Sequence, residues 1–200
     1  LGNHDEVCAG AVADALVRDN PHYNLDIAVR RELGRDRLSG IRALPYTFSN
    51  RRFACAHGDF TAPQDFGYIL CADDAKGSFS ACERGLMFVG HTHEAKIWAL
   101  TPNDEMEISG IGKIELKSGY RYIVDVGSVG YPRHNLFSSY ALYDSGAGTV
   151  DLRRIDFDVS AYIKAFKDRG IPLPPWLERL SLMSEDMVKV ITKKQRLNLS

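Results

Sequence analysis

The most informative segment of the sequence is Leu86-Met87-Phe88-Val89-Gly90-His91-Thr92-His93. In it four apolar residues are followed directly by a glycine and a loop with two histidines. A short continuous apolar run is typical of a strand buried on both faces of a sheet. The two imidazoles therefore lie where a strand ends and a loop begins. Loops on a rigid scaffold commonly carry functional side chains, so this position predicts metal ligands.

Two further fragments share this character. Gly2-Asn3-His4-Asp5 stands at the start of the sequence, and Ala56-His57-Gly58-Asp59 follows the apolar stretch Phe53-Ala54-Cys55. Together, the three fragments contain four of the six histidines in the chain. Imidazole nitrogens and carboxamide or carboxylate oxygens are ligands that first-row cations such as Mn, Fe, Co and Zn accept. The clustering predicts a metal site built from separate strand ends.

The composition is ordinary for a folded protein and gives no sign of a polyanionic partner. The 200 residues, 44% hydrophobic and 26% charged, are enough for one domain with a sizeable core. The formal net charge of -1 provides no global field to gather nucleic acid or an anionic membrane. We therefore expect neither a nucleic-acid polymer nor a membrane as partner, and a phosphate-bearing ligand must be held by a local site.

The cysteines favour a reducing compartment. They show no C-x-x-C spacing, and the sequence contains no recognisable signal peptide or apolar stretch of membrane-spanning length. We expect reduced, structural thiols and a cytoplasmic location, with a disulfide as the alternative. The four residues are Cys8, Cys55, Cys71 and Cys82.

Hydrophobic periodicity predicts helices first and strands later. Helices are expected over 7–16, over 25–33 with Asn24 as N-cap, and over 38–44 before Pro45. From residue 53 onward strands dominate, interrupted by a helix over 73–83. The chain closes with one helix capped by Ser160 and another after Ser184. Further strands, predicted to form a second and largely antiparallel sheet, are 96–101, 111–116, 120–126, 138–143 and 149–157.

Taken in order, GNHD, a strand ending in His-Gly, a strand ending in GHTH and the loop Gly127-Ser128-Val129-Gly130 resemble the calcineurin-like metallophosphoesterase family. Each fragment alone is a weak match, but their common order is a strong joint signal. The resemblance covers nearly the whole chain and is greatest to the bacterial phosphodiesterase and nucleotide-phosphatase branch. It implies an α/β (α+β) fold, a four-layer α-β-β-α sandwich that forms a single domain over 1–200.

The resemblance also implies cofactors and site residues. Two divalent ions (Mn, Fe, Zn, Co or Ni, with Mn favoured) would be held at the strand ends, Asn3, His57 and His91 binding one and His93 the other. His4, steadied by Asp5, would act near the scissile phosphate as general acid or as charge stabiliser at the leaving oxygen. The metal ligands implied are Asn3, His57, His91 and His93.

Several of these residues have a plainer alternative. His57 could be a core histidine bonded to a backbone carbonyl, and Asn3 and Asp5 could cap a helix that starts near Glu6. The next candidates, Ser128 and Arg133, could bind substrate phosphate. Ser128 could equally belong to a simple turn between strands, and Arg133 could equally pair with a surface carboxylate.

Members of the family carry further ligand motifs upstream of GNHD. These are an Asp-x-His and a Gly-Asp-x-x-Asp, which supply the remaining ligands, including the carboxylate that bridges both metals. The sequence begins at Leu1, inside the strand expected before GNHD. We therefore expect the first strands of the sandwich to be missing from it, and we expect it to be the C-terminal part of a longer chain.

The predicted function is metal-dependent hydrolysis of a small phosphodiester or nucleotide, by water activated between two cations. The alternative is a non-catalytic scaffold with the same sandwich, as in the metallophosphoesterase-like retromer subunit. Scaffold members lose the histidine of GNHD, so its presence here as His4 favours chemistry. The sequence leaves the oligomeric state open.

Overall fold

The computed structural model contains two sheets and six α-helices within the part of the chain that it describes. The chain divides into two compact units, one formed by Leu1–Gly2 and Pro45–Ile155, the other by Asn3–Leu44 and Asp156–Ser200. The mixed α/β class with two sheets is therefore confirmed, whereas a single domain stays a prediction. The described residues are 1–12, 23–133, 136–184, 187–188 and 191.

The first unit holds both sheets. Its larger sheet has the order β1-β2-β3-β7-β4-β5, in which β2, β3 and β7 are parallel neighbours and the other pairings are antiparallel. The smaller sheet has the order β6-β9-β8, with β6 antiparallel to β9. The strands are β1 (Thr47–Ser49), β2 (Ala54–Ala56), β3 (Leu86–Val89), β4 (Ala95–Leu100), β5 (Met106–Ser109), β6 (Gly112–Glu115), β7 (Arg121–Val126), β8 (Phe137–Asp144) and β9 (Thr149–Asp156).

The composition of the second sheet differs from the prediction. The strands predicted over 96–101 and 120–126 correspond to β4 and β7, which belong to the larger sheet. β7 lies beside β3 and runs parallel to it, with Leu86 opposite Tyr122. The four residues from Tyr122 to Asp125 are all buried, which is what a strand covered on both faces requires. The prediction overlooked this run of buried residues.

The core of the first unit has three layers. Helix α4 (Ala72–Ala81) covers one face of the larger sheet, where Ile123 of β7 packs in a cluster with Phe79 of α4. On the opposite face Val124 packs in a cluster with Val150 and Leu152 of β9. Side chains alternate along β7 between the two clusters, as the period of two in a strand requires. The layers are therefore helix, sheet and sheet.

Sequence patterns missed four short elements, one of which is the 3-10 helix Pro63–Asp65. β1 and β5 have mostly exposed residues, so no hydrophobic alternation marks them. The fourth is helix α6 (Pro175–Ser181), whose proline stands in the first turn, where the missing N–H costs nothing. Helix α5 (Val159–Asp168) was predicted, but its cap is Asp158, whose carboxylate accepts from the N–H groups of Ser160 and Ala161.

The second unit is helical in its described residues. It contains α1 (Asn3–Ala9), α2 (Asn24–Glu32), α3 (Arg35–Arg42), α5 and α6. The first helix begins and ends earlier than predicted, because Gly10 takes the left-handed conformation, with φ of +74°, that ends helices. Asn24 is the first residue of α2 and not its cap.

Residues 13–22, and most of the helix predicted after Ser184, lie outside the described residues. Among those that are described, no helix combines the length and apolar character needed to cross a bilayer.

Candidate metal centre

Three loops with predicted site residues leave the larger sheet at one edge. β2, β3 and β7 are parallel, with Val89 opposite Asp125 in the register. Parallel strands bring their carboxyl ends to the same edge, which is where open α/β sheets bind ligands. The loops that begin at His57, Gly90 and Gly127 therefore start side by side.

The loops after β2 and β3 are joined through backbone and side chains. The N–H of Gly90 donates to the carbonyl of His57 over 2.9 Å. Nδ1 of His91 lies 3.1 Å from Nε2 of His57, and His91 is only 6% exposed. Two of the predicted ligands are thus in direct contact at the sheet edge.

The distance between these two ring nitrogens fits a shared cation. Metal–imidazole bonds of about 2.0–2.1 Å place two adjacent ligand nitrogens about 2.8 to 3.4 Å apart, from octahedral to tetrahedral geometry. The observed 3.1 Å falls within this interval. The same spacing suits a hydrogen bond between two neutral imidazoles, one as donor and one as acceptor. The pair is therefore compatible with a cation and is also satisfied without one.

The backbone of the GHTH loop is strained at both histidines. φ is +67° at His91 and +64° at His93, in the left-handed region. A residue with a Cβ occupies this region at a cost of about 1–3 kcal/mol, and such residues concentrate at functional sites. Two strained histidines on either side of Thr92 support a functional role for this loop.

Thr92 is held by a carboxyl group that sequence reasoning did not assign to the site. Its hydroxyl donates to Oδ2 of Asp125 over 2.5 Å, and the N–H of Gly127 donates to Oδ1 over 3.0 Å. Asp125 is 1% exposed, and burial raises the pKa of this carboxyl to about 7. It ties the GHTH loop to the loop after β7. The signal in the sequence that could have identified Asp125 is its place as the one acidic residue near the end of the apolar strand β7.

A pocket of about 380 Å³ opens at this edge. His93 lines it and donates from Nδ1 to the carbonyl of Tyr131. This bond places the proton on Nδ1 and the lone pair on Nε2, the arrangement found in metal-binding histidines whose other nitrogen is hydrogen-bonded. The predicted residues that line the pocket are His57, His91, His93 and Ser128.

The described residues supply an imidazole pair and a third histidine, but not a complete ligand set. No group of three or more His, Cys, Asp or Glu side chains among them is arranged to hold a metal ion. Cys55 also lines the pocket, but burial raises the pKa of its thiol.

The loop after β2 closes on itself. The N–H of Asp59 donates to the carbonyl of Gly67 over 2.9 Å. Gly58 approaches so closely that a Cβ there would lie 2.5 Å from the same oxygen. The carboxylate of Asp59 also accepts from the hydroxyl of Thr61 over 2.7 Å. Asp59 therefore shapes this loop.

The closed loop leads into two aromatic residues that pack on the histidine pair. The ring of Tyr68 stacks on His91, with centroids 4.1 Å apart and an interplanar angle of 17°. Phe66 meets His57 edge-on at 5.8 Å. Neither aromatic residue was predicted, because they follow the histidine fragment at a distance that no motif encodes.

The two predicted phosphate contacts occupy different environments. The hydroxyl of Ser128 accepts from the N–H of Tyr131 over 3.0 Å. Arg133 donates from Nη1 to the hydroxyl of Tyr68 over 3.4 Å, while its buried Nε has no hydrogen-bond partner among the described residues. A buried donor left unpaired is costly. Arg133 is not among the residues that line the pocket.

The three remaining predicted residues, Asn3, His4 and Asp5, lie in the first turn of α1 in the second unit. Because α1 begins at Asn3, Asn3 and Asp5 are part of this helix and do not cap one that starts near Glu6. Their association with the histidine pocket stays a prediction.

His4 has a carboxylate partner that the sequence did not reveal. Nδ1 of His4 lies 2.7 Å from Oδ2 of Asp26 in α2, and Asp26 is 6% exposed. The thiol of Cys8 donates to the backbone carbonyl of Asp26 over 3.6 Å. Burial is the largest cause that raises the pKa of the Cys8 thiol, to about 12. In the sequence Asp26 is an ordinary acid in the first turn of a helix, which hides its pairing with His4.

No protein-family model matches the chain. It is 36% identical over 190 residues to the uncharacterized protein MJ0912 of Methanocaldococcus jannaschii, covering 91% of this chain and 74% of that protein. Its structure resembles that of a metallophosphoesterase from Sphaerobacter thermophilus, with a TM-score of 0.70 and 26% identity over 86% of this chain and 71% of the other. The chain belongs to the metallophosphoesterase superfamily, in one family with the archaeal protein.

A second solved structure, hypothetical protein PH1004 from Pyrococcus horikoshii OT3, shares the fold. The TM-score is 0.57 and the identity is 18%, over 86% of this chain and 67% of the other. The predicted fold class and superfamily are therefore confirmed, and membership indicates phosphoesterase activity in general. The particular branch and the absence of upstream motifs stay predictions.

Proposed function

We propose that this chain acts as a metal-dependent phosphoesterase on a small phosphodiester or nucleotide. The observation that carries the proposal is the contact between His57 and His91 in a pocket at the carboxyl ends of parallel strands. Strain at the two histidines of the GHTH loop adds to it. A cytoplasmic location, predicted from the cysteines, is part of the proposal.

Residues of this chain would hold two divalent ions, with Mn favoured. His57 and His91, joined by Asn3, would bind one, and His93 would bind the other through the nitrogen opposite Tyr131. Such ions, when bound, stabilise charge on phosphoryl oxygens and lower the pKa of water. The set is completed in the family by upstream carboxylates.

The protein's own groups would bind and orient the ester. Arg133 would contact a phosphate oxygen with its planar guanidinium, which lies beside the Tyr68 hydroxyl. Ser128, on the pocket wall, would contact a second oxygen. His4, whose Nδ1 is engaged by Asp26, would deliver a proton from Nε2 to the leaving oxygen, supported by Asp5 in the same turn.

A non-catalytic scaffold is the second candidate. A scaffold needs no complete ligand set, and no group of three or more suitable side chains is found among the described residues. The two candidates differ in one property that is simple to measure, which is metal-dependent turnover.

The test compares hydrolysis of bis(p-nitrophenyl) phosphate by the full-length wild-type protein and its His91→Ala variant, with Mn²⁺, Fe²⁺, Zn²⁺, Co²⁺ or Ni²⁺ and after chelation. We expect turnover that requires metal and is lost in the variant, while thermal melting shows that the variant remains folded. Unchanged turnover in His91→Ala would refute the assignment of this residue. Absence of turnover with every metal and with monoesters would favour the scaffold.

A further inference from the structure

We propose that Tyr68 is a positioning residue that connects the candidate metal ligand His91 with the candidate phosphate contact Arg133. Its ring face lies on the imidazole and its hydroxyl accepts from the guanidinium. The roles of the two partners rest on the proposed function. Tyr68 itself fixes the geometry between them.

The stacking contact fixes the plane of the His91 ring. The terminal torsion of a histidine is broad and two-fold, so the ring orientation must be set by its neighbours. Tyr68 lies nearly parallel to the imidazole at 4.1 Å, and His91 is 6% exposed while Tyr68 is 41% exposed. The phenol is therefore the outer wall over the imidazole, and it fixes the ring plane in which Nδ1 faces His57.

The backbone around Tyr68 is built to hold this position. The preceding loop is closed by the bond from Asp59 to Gly67, and Phe66 takes a left-handed φ of +53°. The following residue, Ile69, is 3% exposed and anchored in the core. Strain before the tyrosine and an anchor after it distinguish Tyr68 from an ordinary surface aromatic.

The hydroxyl contact places the guanidinium. Nη1 of Arg133 lies 3.4 Å from the Tyr68 oxygen. A rigid phenol has only two side-chain torsions, so it sets the separation between imidazole and guanidinium with little freedom. A phosphate that contacts both a cation and an arginine needs this separation to be constant.

The two contacts can be separated by substitution. Tyr68→Phe keeps the stack and removes the hydroxyl, whereas Tyr68→Leu removes both. Tyr120→Leu is the matched control, because Tyr120 also stacks at an interplanar angle of 17°, on Tyr122, but at the opposite end of β7. For each chain we would measure Mn²⁺ affinity by calorimetry, and kcat and KM separately on bis(p-nitrophenyl) phosphate.

We expect Tyr68→Leu to weaken Mn²⁺ binding by about tenfold, as loss of an orienting neighbour does. Tyr68→Phe should keep Mn²⁺ affinity and raise KM about threefold to fivefold with little change in kcat. Tyr120→Leu should change neither quantity.

Mn²⁺ affinity in Tyr68→Leu within about twofold of wild type would overturn the stacking role, and an unchanged KM in Tyr68→Phe would overturn the hydroxyl role. Mn²⁺ binding by the wild-type chain without hydrolysis would defeat the proposed function alone. A wild-type chain that binds no Mn²⁺ would defeat both.

Discussion

The two histidine environments of the molecule differ in what faces the imidazole. In the first unit a ring nitrogen of His91 faces a ring nitrogen of His57 at 3.1 Å. In the second unit a ring nitrogen of His4 faces the carboxylate of Asp26 at 2.7 Å. Two converging lone pairs suit a cation, whereas a carboxylate suits a ring that holds or moves a proton. The first environment is therefore suited to binding a metal ion and the second to acid–base work.

Substitution of His4 should change kcat more than any other substitution proposed below, and it separates acid–base work from metal binding. His4→Gln should lower kcat by about 10²- to 10⁴-fold on a diester with an alkyl leaving group, because proton transfer to a poor leaving group is lost. Mn²⁺ affinity, measured by calorimetry, should stay at the wild-type value. His91→Ala is the comparison, since it should lose Mn²⁺ affinity. Equal loss of Mn²⁺ affinity in both variants would erase the distinction between the environments.

The next largest effect concerns Asp125, which supports the pocket side of the comparison. Burial raises its pKa from 3.8 to about 7 in the folded state. Between these values the folded chain holds a proton that the unfolded chain has released, so stability must fall as pH rises from about 4 to about 7 and then level off. The shift corresponds to at most about 4 kcal/mol. Denaturant unfolding over this pH range measures it.

Asp125→Asn should remove that slope, since the amide does not titrate. Asp144→Asn is the control, because N–H groups of Ala147 and Gly146 lower the pKa of Asp144. Its titration therefore lies below the window, and the slope should persist. A wild-type stability that is flat between pH 4 and 7 would contradict the assignment of a raised pKa to Asp125.

A third substitution breaks the loop that holds Phe66 and Tyr68 against the histidine pair. Gly58→Ala would place a Cβ 2.5 Å from the Gly67 carbonyl oxygen, so backbone must move. We expect about 2–3 kcal/mol of destabilisation, the range for overpacking. Gly85→Ala, with nothing within 4 Å of its Cβ, should cost less than about 0.5 kcal/mol. Equal free energies of unfolding for the two variants would show that the loop is not closed as described.

The elements that carry the pocket could be predicted, because they depend on local pattern. The apolar runs before His57 and His91 became β2 and β3, and their common parallel direction brought the histidines together. β7 was assigned to the wrong sheet, since pattern alone does not choose a strand's neighbour. Its parallel pairing with β3 depends on burial of both faces.

The residues that support the site could not be predicted. Asp26 reaches His4 across 22 positions, and Asp125 reaches Thr92 across 33. Tyr68 stands 23 positions before His91, with which it stacks. Such contacts depend on packing in three dimensions, and no spacing or periodicity in the chain encodes them.

The last prediction concerns Asp26, the carboxylate partner of His4, and the smallest of the expected changes in kcat. Asp26→Asn keeps a hydrogen-bond acceptor for Nδ1 of His4 but removes the negative charge beside the ring. We expect about a tenfold fall in kcat on an alkyl diester and less than about threefold on a p-nitrophenyl diester, which needs little help from an acid. Asp5→Asn is the matched control, because the family resemblance assigned the supporting role to Asp5 and the geometry favours Asp26. A larger loss in Asp5→Asn would return the role to Asp5, and equal losses on both leaving groups would mean that Asp26 supports the fold of the second unit and not proton transfer by His4.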